Sequence, residues 1–221
     1  MQKVRLTFVK QGTAVFISHL DVLRSYARGL SRAGLRVRYT EGFNPQPYLV
    51  FSPPLSLGYA SLCELCDFDL EQDLPVEQVA PRLAAVMPEG LRPVASAVPV
   101  RRLGELAAAA YRLELQLLPQ AAPGAEGAVL ACLSRPEIPL SKKSKRGQRE
   151  VNLAALVKGL AVAQLSGGRL RLDCRLPVAG EEAVNPRCLL EVLARDLPER
   201  PVAEAGITRT GFYLRDGTAF S

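Results

Sequence analysis

Val4, Leu6 and Phe8 alternate with Arg5 and Thr7, so the chain predicts a strand with one apolar face within its first ten residues. From Ser18 the apolar spacing lengthens. Leu20, Leu23, Ala27 and Leu30 recur at helical intervals until Gly34, and Ser18 with Asp21 three residues on approximates a capping box that starts this helix. Residues 36–40 then predict a short strand, followed by a loop rich in Gly, Asn and Pro over 42–58. A strand over 64–70, a helix over 75–87 interrupted by Pro81, and a strand over 90–100 follow. Pro93 and Pro99 make that last strand an edge or an irregular one. The order is β-α-β-β-α-β, the split βαβ pattern of a ferredoxin-like sandwich.

The second half repeats the order. Residues 110–117 alternate apolar and polar, and a helix is expected over 125–134. Strands over 157–164 and 169–176 meet at Ser166-Gly167-Gly168, a good hairpin turn. A helix over 186–197 carries Leu189, Leu190, Val192 and Leu193 on one face, and 207–214 closes as a strand. The expected fold class is therefore α+β, a tandem of two ferredoxin-like sandwiches. An N-terminal ferredoxin-like domain spans 1–103, and a C-terminal α+β domain spans 104–221 with a basic loop at 141–149. No internal sequence repeat supports the division, which rests on element order.

Charge is unevenly spread. Residues 1–58 hold eight Lys/Arg against two Asp/Glu, giving +6, and residues 142–149 hold five against none, giving +5. The stretch 59–107 is acidic, with eight Asp/Glu against four Lys/Arg. Concentrated positive charge points to a polyanionic partner. No apolar run approaches the ~18 residues of a membrane span, so no membrane association is expected. Five scattered cysteines, at 63, 66, 132, 174 and 188, do not form the framework of a small secreted domain and fit a reducing, cytoplasmic setting. The phosphate-binding glycine loop, the dinucleotide fingerprint and the Gly-x-Ser-x-Gly elbow are all missing from the sequence.

Four short motifs lie in the first third: Ser18-His19-Leu20-Asp21 at the helix start, Arg32-Ala33-Gly34 at its end, Gly42-Phe43-Asn44-Pro45-Gln46-Pro47, and Pro54-Leu55-Ser56-Leu57-Gly58. With them the chain resembles the radical SAM-linked proteins, a family without a settled molecular activity. The resemblance is dense over residues 5–69 and thinner through to Thr208-Arg209-Thr210-Gly211. It implies a partner, because members are encoded beside or fused to a radical SAM protein. The C-x3-C-x2-C motif that holds the iron–sulfur cluster of those enzymes is absent here, which makes this chain the accessory half and implies no cofactor of its own.

Arg24, Arg28 and Arg32 stand four apart on the first helix, and Arg36 and Arg38 follow. Cations so spaced repel one another by a few tenths of a kcal/mol per pair, a cost that a phosphate backbone would offset and a solvated face would not. Lys142, Lys143, Lys145, Arg146 and Arg149 make a second phosphate clamp in the 141–149 loop, unless that loop only solubilises. Tyr39, Phe43, Tyr48 and Phe51 are rings near the first cluster, where RNA-binding proteins stack bases. Phe43, beside Asn44, is the best stacking candidate, while Tyr48 and Phe51 are equally well read as loop anchors.

His19 is the only histidine, so imidazole acid–base chemistry has no other carrier. By fold analogy, CRISPR-repeat-processing endoribonucleases of similar architecture place a general base at the start of this helix, with Tyr26, Lys10 or an arginine available to assist; the ring is otherwise read as structural beside the cap or as a direct substrate contact. Asp67 and Asp69 share a strand face and are read as a solvated or Arg-paired face before a metal pair. Cys63 and Cys66 point to opposite faces, and no metal site is expected. The sequence thus supports an RNA-binding accessory protein that presents tRNA or rRNA to a radical SAM enzyme and has no catalysis of its own. Two alternatives stay open: a metal-independent endoribonuclease using His19, and a protein–protein adaptor of the radical SAM enzyme that binds no RNA.

Overall fold

The computed structural model describes residues 1–144, 147–199 and 201–220, without the side chains of Lys143, Ser144 and Gln148. Contacts divide the chain into two units, Met1–Leu106 rejoined by the chain from Thr218 on, and Ala107–Gly217. Both units mix strands with few helices. Among the described residues no helix is long and apolar enough to cross a membrane.

In the first unit, β1 (Gln2–Lys10) pairs antiparallel with β3 (Ala60–Leu70) on one side and β4 (Pro93–Ala97) on the other. The two-residue β2 (Val50–Phe51) pairs with β3, which gives the order β4-β1-β3-β2. The strand expected over 36–40 contracts to bridges at Val37 and Tyr39, because the chain leaves the sheet at once to form its own turn. Helix α1 (His19–Arg32) and the short α2 (Val79–Ala84) cover the face that presents Val4, Leu6 and Phe8. The helix expected over 75–87 is shortened to a 3-10 turn, Val76–Gln78, followed by α2. Pro81 falls within the first turn of α2, where its missing N–H has no partner to lose.

The cap of α1 forms as the sequence indicates, the Ser18 hydroxyl accepting from the Asp21 N–H at 3.1 Å. Its buried face differs from the expected one. Val22, Tyr26, Gly29 and Leu30 are buried, while Leu20 is 54% exposed. Tyr26 explains the rotation: its ring packs 4.6 Å from Phe8 and its hydroxyl donates to the Leu91 carbonyl at 3.2 Å. Gly29 permits the closest approach, since an added Cβ would fall 2.4 Å from the Met87 sulfur.

The second unit follows the same order of elements with one insertion. β5 (Ala108–Leu117) lies between β10 (Val202–Tyr213) and β9 (Arg169–Pro177), and β8 (Lys158–Gln164) completes the order β10-β5-β9-β8, all antiparallel. The turn between β8 and β9 sets Gly167 and Gly168 at φ 70° and 73°, a conformation that favours glycine. Helices α3 (Ala125–Leu133) and α5 (Arg187–Asp196) bury Val129, Cys132, Leu133, Cys188, Leu189, Val192 and Leu193.

The basic loop expected at 141–149 is instead part of a two-stranded hairpin, β6 (Pro139–Ser144) with β7 (Gly147–Asn152), followed by the one-turn α4 (Leu153–Leu156). Its base is anchored by fully buried Ile138 and Leu153 and by the Asn152 carboxamide, which accepts from the Ile138 N–H at 3.0 Å and donates to the Pro136 carbonyl at 2.9 Å. Lysine and arginine side chains fix no register themselves, so the anchors outside the charged run decide it.

Arg5 is the least expected part of the first unit. Alternation places it opposite the apolar face of β1, yet it is 6% exposed. Its Nε and Nη2 donate to the two Asp67 carboxylate oxygens at 2.8 and 2.6 Å, and Nη2 also donates to the Arg101 carbonyl at 2.7 Å. The Phe220 ring lies 4.9 Å from the guanidinium. Removing one member strands a buried charge, whereas removing both does not. We therefore expect Asp67→Ala to lower unfolding stability by about 3 kcal/mol and Arg5→Leu/Asp67→Leu to recover most of the loss, as measured by denaturant titration.

Candidate functional site

Helix α1 advances about 100° per residue, which places Arg24 and Arg28 on the side opposite Val22, Tyr26, Gly29 and Leu30 and Arg32 on the flank of that face. All three arginines are exposed. Arg24 meets Asp21 at 3.5 Å, and Arg32 donates to the Val86 carbonyl at 2.8 Å. The row is therefore partly offset at each end by local partners that charge counting over the helix understated.

Arg36 and Arg38 are exposed as well, on the segment that leaves the helix. Arg38 stands 3.6 Å from Asp69 and its guanidinium lies 5.3 Å from the centre of the Tyr48 ring. Tyr48 thus anchors against a cation while staying 45% exposed. Phe51 is the true loop anchor, packed edge-on against Phe8 at 6.1 Å and Tyr26 at 6.0 Å. Phe43 does the opposite and is fully exposed. Burying a phenylalanine side chain is worth about 1.5–3 kcal/mol, a gain that folding leaves unrealised at this position. Asn44 turns back on its own loop, its Oδ1 accepting from Gln46 Nε2 at 3.1 Å.

The acidic residues of β3 are already paired, Asp67 with Arg5 and Asp69 with Arg38, and not with the arginine row of α1. Among the described residues, no group of three or more His, Cys, Asp or Glu side chains is placed to hold a metal ion. Cys66 is buried in the core, and burial raises its thiol well above the ordinary value, which leaves it unreactive.

His19 opens onto a narrow cleft lined by Phe8, Lys10, Val22, Phe51, Leu55 and Glu64. Its ring meets Phe51 edge-on at 5.6 Å. Lys10 is 3% exposed, its ammonium donating to the Val15 and Ile17 carbonyls at 3.3 and 3.2 Å. Glu64 is 6% exposed and accepts from the Ser52 hydroxyl at 3.2 Å, which in turn accepts from the Leu65 N–H. Tyr26 is engaged with Leu91 in the core and offers His19 no help in catalysis. The cleft itself holds about one water. The sequence reading offers Lys10 as an assistant to His19 but does not bring Glu64 and Ser52 to it. The register that sets Phe8 opposite Glu64 was the missing information.

In the second unit the basic hairpin is tied by Glu181: the Lys142 ammonium donates to its carbonyl, and Arg149 meets its carboxylate at 3.3 Å. Lys145 and Arg146 lie outside the described residues, as does the side chain of Lys143.

Partial burial lowers the His19 pKa, with Glu64 opposing and Lys10 adding to the effect. The unfolded chain keeps the ordinary value of 6.5, so below it the unfolded state binds more protons and stability falls as the pH drops through the folded value. In denaturant titrations between about pH 7.5 and 5, His19→Gln should flatten this dependence while leaving the high-pH stability nearly unchanged. Equal slopes for both proteins would mean that the ring titrates as in water.

Residues 3–186 match the model of a family described as "Uncharacterized protein conserved in bacteria (DUF2344)", and the chain belongs to that family. The description names no radical SAM enzyme, so that partner rests on the motif resemblance alone. No curated protein matches. Among solved structures, a chain of a Cbf5-Nop10-Gar1 complex is similar with a TM-score of 0.53 at 12% identity, covering 95% of this chain and 48% of that one. This chain thus spans about half of that protein's length, and the likeness concerns the fold alone. A "putative glycine cleavage system transcriptional repressor" aligns over 94% of this chain and 98% of that one at 11% identity, with a TM-score of 0.24 that bears on nothing further.

Proposed function

We propose that this member of an uncharacterised bacterial family is a cytoplasmic accessory protein that binds RNA, a tRNA or an rRNA, and presents it to a radical SAM enzyme. The observation that carries the reading is the exposed row of Arg24, Arg28 and Arg32, which runs from the side of α1 opposite the core to its flank and is continued by exposed Arg36 and Arg38. Lys142 and Arg149 on the hairpin supply further cations, with Lys143, Lys145 and Arg146 contributing the rest of the charge by sequence. The radical SAM partner is supported by the motifs at 18–21, 32–34, 42–47 and 54–58. The strand orders β4-β1-β3-β2 and β10-β5-β9-β8 support reading both units as ferredoxin-like sandwiches, with the β6–β7 hairpin inserted in the second.

We keep catalysis out of this reading. A nuclease would use His19 as general base on a ribose hydroxyl within hydrogen-bond reach and would need a second group to assist it. Lys10 is occupied by two backbone carbonyls and Tyr26 by a third.

Phosphate contacts release counterions, and each one lost lowers the salt dependence of single-strand binding by ~0.7 in the log–log slope. Replacing Arg24, Arg28 and Arg32 together by Gln should therefore weaken RNA binding and flatten that slope by up to about 2, read by fluorescence anisotropy across a salt series. An unchanged slope would show that the row is only solvated and would sink the reading.

A further inference from the structure

We infer that the RNA is single-stranded where it meets residues 36–48, and that Phe43 is the ring on which one unstacked base lies. The inference rests on the RNA reading and narrows it. The segment doubles back on itself: Tyr39 bridges Pro47, the Thr40 N–H donates to the Gln46 carbonyl at 2.8 Å, and the Gln46 N–H donates to the Thr40 hydroxyl at 3.0 Å. The Tyr48 N–H donates to the Arg38 carbonyl at 2.8 Å and closes the base. Gly42, at φ 122°, supplies the reversal next to Phe43.

The turn is thus braced from within by hydrogen bonds and needs no packing from Phe43. The ring stands at its tip, wholly in solvent, with Tyr39 and Tyr48 about half exposed at its base. A phenyl ring has no hydrogen-bonding group, so it reads nothing from the base edges and phosphates that a duplex offers. The π-face of an unstacked base suits it, and exposed Arg36 and Arg38 are set along the same segment to meet the adjoining phosphates. A protein partner would also cover an exposed ring. Of the basic residues in 1–58, Arg5 and Lys10 are buried, and the six exposed ones, against exposed Asp21 and Glu41, favour the polyanion.

The test uses the full chain as wild type, Phe43→Ala and Phe43→Tyr, with a labelled RNA of about twelve mixed-sequence nucleotides, alone or annealed to its complement. We expect the single strand to bind more tightly than the duplex. Phe43→Ala should weaken single-strand binding by roughly five- to a hundredfold, Phe43→Tyr should stay near wild type, and duplex binding should not change. Equal affinity for the two RNAs, or a Phe43→Ala protein with undiminished single-strand affinity, overturns the inference and leaves the RNA reading in place. Duplex binding that falls in Phe43→Ala also overturns it, in favour of a wedge between stacked bases. A wild-type chain that binds neither RNA overturns the inference together with the RNA reading and assigns the exposed ring to a protein contact.

Discussion

The contact of Tyr26 with Phe8 decides how α1 sits on its sheet, and most of what the first unit displays follows from that rotation. The two rings are 4.6 Å apart, Phe51 joins both at about 6 Å, and the Tyr26 hydroxyl is held by the Leu91 carbonyl. Aromatic clusters of this kind add to the burial of their area through a preferred geometry, so they resist rotation of the helix more than an aliphatic contact would. With Tyr26 inward, Arg24, Arg28 and Arg32 must face out, and His19 is brought beside Phe51 at the mouth of the cleft. The same rotation leaves Leu20 in water, which no local preference of the helix would have chosen.

Much of this architecture is legible in the sequence because its signals are local. The Ser18 cap, the alternation over 110–117, and the two glycines that join β8 to β9 are each set by a few neighbouring residues, and each forms where expected. Other features depend on register. The burial of Arg5 requires knowing that Asp67 lies directly across from it, and the grouping of Lys10, His19 and Glu64 requires the pairing of Phe8 with Glu64. The face of α1 was misread for a related reason, since the apolar positions at 20, 23, 27 and 30 compete with those at 22, 26, 29 and 30, and only the sheet beneath selects between them. The charged run at 142–149 carries no apolar alternation to betray a hairpin, whose register is set by Ile138, Asn152 and Leu153 outside it.

The chemistry separates into two surroundings. Charges that reach the interior of the first unit have fixed partners, Arg5 in Asp67, Lys10 in carbonyls and Glu64 in Ser52, although the Arg5 Nη1 has none among the described residues. Such pairs hold strands in register and are poorly placed to release a ligand, because breaking one leaves a buried charge uncompensated. The arginines of α1 and of the segment after it stay in water, Arg24, Arg32 and Arg38 with local partners, and on the proposed reading they take up phosphates there at little desolvation cost. On the proposed reading, binding lies outside and stability inside, with His19 at the boundary.

The most direct test is ultraviolet crosslinking of the protein to RNA in living cells, followed by mapping of the crosslinked peptides and sequencing of the attached RNA. Our account predicts crosslinks within residues 24–48 to a tRNA or an rRNA. A protein that recovers no RNA above background, or that crosslinks only through segments away from these residues and the 139–152 hairpin, would contradict it.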